Sequence, residues 1–358
     1  ILGKRKKFDK LLQFLLSYLF SILVNGLIVY GLFSLGLSVV PLKVTFAILH
    51  MTILLWYVIL KRNELKKCVK NLSRSAPEIK LLWNFIIEYK LHIAVFACFM
   101  SLVFLFDLYL FDGTIVSDHR FHHGRALTLM NGDFIKYAES GLDWLYPPFF
   151  SSFLSAFFTL SSTPSVNAYV SLGVLNIMPV LAFYYFFIKW VPSRWKMASL
   201  IAASFFILGG GLGWIHVLDA SLSDDYKSKS PTAVLDSLHG VGVKSFDVFL
   251  QPTFGVASRH PDPTTGLILI SLPAGFALLS ILRTRELNNI QFFIIIFLIT
   301  LVGILTHDEF YLFIIIASTV PLLLRRYLPL VNNFNYMYAA ILTSIVTITI
   351  IDFMLPDK

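Results

Sequence analysis

The sequence predicts an all-α polytopic membrane protein, and three observations carry that prediction. Of the 358 residues, 57% are hydrophobic and 14% charged, with a mean hydropathy of +0.75, whereas a soluble domain carries about 25% charged residues. Apolar runs of about 20 residues, each able to cross a hydrocarbon core of ~30 Å, recur along the chain. Within them polarity does not alternate with the period of two that a transmembrane barrel requires. The net charge of +8 does not point to nucleic acid. Lys and Arg gather in short connections between apolar runs, the distribution that sets orientation in a bilayer.

In chain order the apolar runs fall at 11–33, 38–60, 92–111, 166–188, 197–217, 265–282, 290–306, 309–324 and 337–355, about nine spans, with a shorter run at 147–161. Lys4-Arg5-Lys6-Lys7 precedes the first run and no small-residue cleavage site comes after it, so a retained helix is expected, not a signal peptide. The connection 61–80 holds seven Lys or Arg against two Glu. It and the basic N-terminus are therefore expected on the cytoplasmic side, with the first two spans forming a hairpin between them. Residues 1–90 make that N-terminal hairpin with its basic loop, and residues 91–358 a second module.

The third span delivers segment 111–150 to the opposite, non-cytoplasmic face. The orientation of every later span depends on the run at 147–161, which opens with Tyr146-Pro147-Pro148. A helix of about 15 residues reaches only ~22 Å, so this run is expected to lie in the outer interface or to dip in and return. The basic clusters Lys189 with Arg194 and Lys196, Arg283 with Arg285, and Arg325 with Arg326 then all fall on the cytoplasmic side. By the same parity, 219–264 and His307-Asp308-Glu309 join segment 111–150 on the outer face. Gly209-Gly210-Gly211-Leu212-Gly213, closing the fifth span, suits close helix packing or a helix end.

Segment 111–150 is a polar interruption in an oily chain. It holds five of the 21 acidic residues, Asp112, Asp118, Asp133, Glu139 and Asp143, together with His119, Arg120, His122, His123 and Arg125. Asp118 and His119 stand where the loop leaves the third span, ahead of a short amphipathic helix expected over roughly 125–137. An acid held near the interface beside cations can take a proton from an acceptor hydroxyl or hold a divalent metal ion. It can also simply cap that helix or pair with Arg120 or Arg125. Arg259-His260, in a Pro-rich stretch before a span, could offer a planar fork to a phosphate or snorkel to headgroups.

His307-Asp308-Glu309 lies between two apolar runs. Charges at the bilayer centre cost ~2.5–3.5 kcal/mol each, so the triplet is expected to line an aqueous cavity or its rim. His119, His122 and His123 lack an HExxH or Cys–His framework and are expected to be a solvated or headgroup-binding cluster, not a zinc site. Cys68 and Cys98 have no evident disulfide or metal partner. No GxGxxG, Walker A or GxSxG pattern occurs, which leaves soluble-nucleotide binding and serine-hydrolase chemistry without support.

Over roughly 92–326 four features occur in a telling order: Asp118-His119, a stretch 127–132 ending in Gly, Tyr146-Pro147-Pro148-Phe149, and a span closing on a basic turn at 189–196. In this the chain resembles the GT-C superfamily, polytopic glycosyltransferases that take sugars from polyprenyl-phosphate carriers, such as protein O-mannosyltransferases, aminoarabinose transferases and oligosaccharyltransferases. The family's first outer loop commonly opens with Asp-Glu or a spaced acid pair. Here the second position is His119, and two spans precede the loop where many members have one.

The resemblance implies a GT-C-like helix bundle with interfacial helices in the first large outer loop. It implies Asp118 as the catalytic acid that handles the acceptor, and His119, Arg120, Arg125, Arg259, His260, His307, Asp308 and Glu309 as contacts to the donor phosphate or the acceptor. The donor would be a polyprenyl-phosphate-linked sugar, the acceptor a sugar, lipid or protein, and the work would be done at the non-cytoplasmic face with inversion at the anomeric carbon. A divalent metal could serve as cofactor. The rival is a transporter or lipid-handling protein without covalent chemistry. Transporters place ionisable groups near the midplane of broken helices and show repeated halves; here the acids crowd the ends of spans and no half repeats another.

Overall fold

The computed structural model describes residues 10–35, 39–71, 118–130, 149–161, 177–191, 197–202, 266–284, 287–307, 310–324 and 334–354, with residues 172 and 175 and a scatter between 87 and 101. The regular structure is helical: α1 (Lys10–Ser34), α2 (Val39–Asn71), α3 (Asp118–Met130), α4 (Phe149–Ser161), α5 (Ile177–Trp190), a π-helical turn (Leu267–Ser271) running into α6 (Leu272–Ile281), α7 (Asn289–Thr306), α8 (Phe310–Leu324) and α9 (Phe334–Met354). No strand occurs among the described residues. Among the described residues three helices, Leu11–Leu32, Leu42–Arg62 and Asn289–Thr306, are long and apolar enough to cross a membrane, and shorter apolar helices accompany them.

α1 packs one face against α4, α5, α6 and α7. Its buried residues Leu12, Leu15, Leu16, Leu19 and Leu23 fall at the three- and four-residue spacing of one helix stripe. α7 lies along α9 and α6 along α5. α7 starts where Asn288-x-x-Gln291 forms a capping box: the Gln291 amide donates to Asn288 Oδ1 at 2.8 Å and the Asn288 amide to Gln291 Oε1 at 3.3 Å. It ends at His307, whose extended backbone lets α8 fold straight back, with the Phe310 amide donating to the His307 carbonyl at 3.2 Å. The reversal presses the Phe310 ring onto Gly303, where a Cβ would meet ring carbons at 2.5 Å.

Lipid supplies no hydrophobic drive between helices, so polar links and close contacts must hold a membrane bundle. Side-chain donors to backbone carbonyls of neighbouring helices do this repeatedly. Ser155 of α4 donates to Ala126 of α3 at 3.0 Å, Trp190 of α5 to Leu279 of α6 at 3.1 Å, Tyr338 of α9 to Ser318 of α8 at 2.9 Å, and Ser344 of α9 to Phe297 of α7 at 3.0 Å.

One expectation needs correction here. α2 does not stop with its apolar run but continues to Asn71 through part of the expected basic loop. Lys, Arg, Glu and Leu are strong helix formers, and a helix ends on propensity and capping, not on loss of hydrophobicity. The run at 147–161 forms the short apolar helix α4, and that helix is packed inside the protein. α4 buries Phe149, Phe150, Phe153, Leu154, Ala156 and Phe158, and also Ser151, Ser152, Ser155 and Thr159. It is wedged against α1 and α3 and touches α7.

Outside the first turns, where Leu42 and Phe46 are buried, α2 stands clear of the bundle, and residues 51–60 are exposed on every face. A helix apolar around its whole circumference suits lipid, not water.

Candidate functional site

The bundle has two chemically distinct ends. At the basic end, α5 and α6 finish together: Arg283 Nε donates to the Lys189 carbonyl at 3.4 Å, and the Arg283 guanidinium lies 5.6 Å from the Trp190 ring centroid. Lys189 Nζ stands 5.1 Å from the Tyr185 ring centroid. Cations at helix C-termini complement the negative end of the dipole. The Lys189 and Arg283 turns thus meet in a physical contact.

The other end is the histidine end. α3 occupies it with a face built from His122, Arg125, Ala126, Leu129 and Met130, all buried and spaced i, i+3, i+4, i+7 and i+8. His122 and Arg125 are each only 5% exposed, so this face presents an imidazole and a guanidinium inside the protein. The His122 ring meets the Phe150 ring edge-on at 5.0 Å, and His123 meets Phe158 at 5.1 Å. Both pairs have the T-shaped geometry that ring quadrupoles favour. Burial pushes the His123 imidazole below its usual 6.5.

Phe150 connects this helix to two others. Gly266, which leads into the π-turn, lies against it: a Cβ there would stand 3.0 Å from Phe150 Cγ and 2.8 Å from Thr306 Cγ2. Only a residue without a side chain allows that approach. Thr306 closes α7, its hydroxyl donating to the Val302 carbonyl at 2.6 Å, and half-buried His307 comes next. On α1, Gly26 makes the matching notch for the Phe149 ring. One end of the bundle thus gathers the start of α4, the buried face of α3, the entry to α6 and the exit of α7.

The sequence-predicted site residues divide between α3, the end of α7 and positions outside the described residues. Asp118 is the first residue of α3, and His119 and Arg120 lie in its first turn; the axial rise from Asp118 to His122 is about 6 Å. Arg125 is on the buried face and His307 at the end of α7. Arg259, His260, Asp308 and Glu309 lie outside the described residues, as do segments 131–148 and 219–264 and the Gly209–Gly213 run.

Two readings of α3 change. The helix begins seven residues before the expected start, because an acid at its first position is favoured by the helix dipole and carries the helix back into the charged stretch. Two of the histidines expected to be solvated or headgroup-binding are not solvated: His122 is buried and His123 half-buried, while the burial of His119 lies outside what the structure describes.

Sequence reasoning missed Phe150, Gly266 and Thr306 as members of this end. A Gly just ahead of an apolar helix and an aromatic after Tyr-Pro-Pro were visible, but nothing in either announces the partner. Among the described residues no group of three metal-ligating side chains is clustered. No family model, no curated protein and no solved structure matches this chain.

Proposed function

We propose that this protein is an integral membrane glycosyltransferase of GT-C type, moving a sugar from a polyprenyl-phosphate carrier to an acceptor at the non-cytoplasmic face. One observation carries the reading: α3, which opens with Asp118, lays its buried His122 against Phe150, where the entry to α6 and the exit of α7 also arrive, and carries buried Arg125 on the same face. The segments expected to bring Arg259-His260 and Asp308-Glu309 attach directly to those two places, six residues before Gly266 and one residue after His307.

That grouping has the parts the chemistry needs. Transfer forms a bond from the acceptor oxygen to the anomeric carbon and breaks the bond from that carbon to the carrier phosphate. The acceptor proton passes to Asp118, and the electron pair leaves with the phosphate. The sugar develops oxocarbenium character and the phosphate gains charge, so the site needs one carboxylate for the acceptor and fixed cations for the leaving group. A buried guanidinium suits the second task, because its planar fork binds two phosphate oxygens in surroundings that strengthen the attraction. A carrier with its phosphate at the interface and its chain in lipid reaches such an end without leaving the membrane.

Asp118→Asn tests the reading. In membranes supplied with polyprenyl-phosphate sugars, transfer by this variant is expected to fall by roughly 10²-fold or more, while expression and insertion stay normal. Full activity in the variant would remove the central residue of the proposal.

A further inference from the structure

Pro273 has no N–H, so the carbonyl four residues before it, that of Leu269, cannot receive its α-helical hydrogen bond. Here the backbone runs as the π-helical turn Leu267–Ser271 before α6 begins. Single π-turns inside helices concentrate at functional sites. Leu269 is wholly buried, and a buried carbonyl without a donor is costly. A side-chain donor comes from the other end of the sequence: the Tyr18 hydroxyl of α1 bonds the Leu269 carbonyl at 2.7 Å across 251 residues. α1 thus ties this turn at the carbonyl that Pro273 could not bond in α register.

We propose that Tyr18 is a positioning residue for the histidine end, acting through the register of the π-turn. A change from π to α register would remove one residue from the turn, rotating the backbone ahead of it by about 100° and shifting it by ~1.5 Å. Gly266 stands at that point with no room to turn, held between Phe150 and Thr306. By fixing Leu269, Tyr18 sets Gly266 against Phe150, whose ring meets His122. The positioning role rests on the transferase reading of this end; the register it controls can be measured without it.

The experiment is hydrogen exchange on the full chain in lipid nanodiscs, comparing wild type, Tyr18→Phe, Pro273→Ala and the double variant. Tyr18→Phe is expected to speed exchange of amides 267–275 by about tenfold or more while leaving 289–306 within about twofold. Pro273→Ala restores a donor to Leu269, so in that background Tyr18→Phe should add less than about threefold. Equal acceleration in both backgrounds, or acceleration spread evenly over the bundle, overturns the proposal. Should Pro273→Ala fail to fold, the local or global pattern in Tyr18→Phe alone decides.

Where wild type transfers sugar, Tyr18→Phe should cut the transfer rate by about tenfold with 289–306 still protected. An unimpaired rate beside a loosened turn overturns the positioning role. A loosened turn in a protein that transfers no sugar sinks the transferase reading and leaves the register assignment standing.

Discussion

His122 and His123 show how one position on a helix separates two chemistries. Neighbours on a helix point about 100° apart, so His122 falls on the buried stripe with Arg125 and Ala126 while His123 is half-buried beside Phe158. That stripe was present in the sequence at the right spacing, but two of its five members are His and Arg, and an apolar pattern search passes over them. The lowered affinity of His123 for a proton has a consequence for stability. Between the folded value and the ordinary 6.5, the unfolded chain binds more protons than the folded one. Stability therefore falls as pH drops through 6.5 and levels off once the folded ring itself protonates. His123→Gln should flatten this dependence, so melting temperatures measured on either side of pH 6.5 should differ less in the variant than in the wild type. Equal differences in the two proteins would mean that another group titrates.

At the scale of elements, helices bounded by apolar runs were legible and helices bounded by other forces were not. The runs 11–33, 290–306, 309–324 and 337–355 correspond to α1, α7, α8 and α9 within a few residues. Polarity marks their ends because those ends leave the packed or lipid-facing layer. α3 starts on a charge and α2 continues through charges, so hydropathy set neither boundary. The tight return from α7 to α8 was visible as His307-Asp308-Glu309, but its packing was not. It depends on Gly303 accepting the Phe310 ring, a contact between residues of two helices. Gly303→Ala would put a methyl where Phe310 carbons stand 2.5 Å away. The Phe310 ring is central to the contact, so the ring must leave its place and take the His307 reversal with it. Overpacking of this kind costs about 1–3 kcal/mol. Thermal melting in detergent should show that loss, and a melt unchanged from wild type would mean that α8 can slide along α7 without cost.

For the whole molecule, α7 serves as a ruler. Its 18 residues extend about 27 Å, close to the ~30 Å of a hydrocarbon core. It begins beyond Arg283 at the basic end and finishes with Thr306 against Gly266 at the histidine end. The π-turn and α6 together run the other way between the same two ends, from beside Gly266 to beside Arg283, and α5 finishes beside them at Trp190. If α7 crosses the bilayer, everything tied to Arg283 lies on one side and everything tied to Phe150 on the other. The positive-inside rule then makes the basic end cytoplasmic. Long-range contacts such as Tyr18 with Leu269 were invisible in one sequence, whereas the spacing of Lys and Arg between spans predicts an orientation that can be measured. Single cysteines at 118 and 289, introduced after Cys68 and Cys98 are replaced by Ser, test it. A membrane-impermeant maleimide applied to intact cells should label position 118, while position 289 should react only after permeabilisation. Labelling of both from one side would mean that α7 does not span, and the histidine end would then lose its access to an outer-leaflet lipid phosphate.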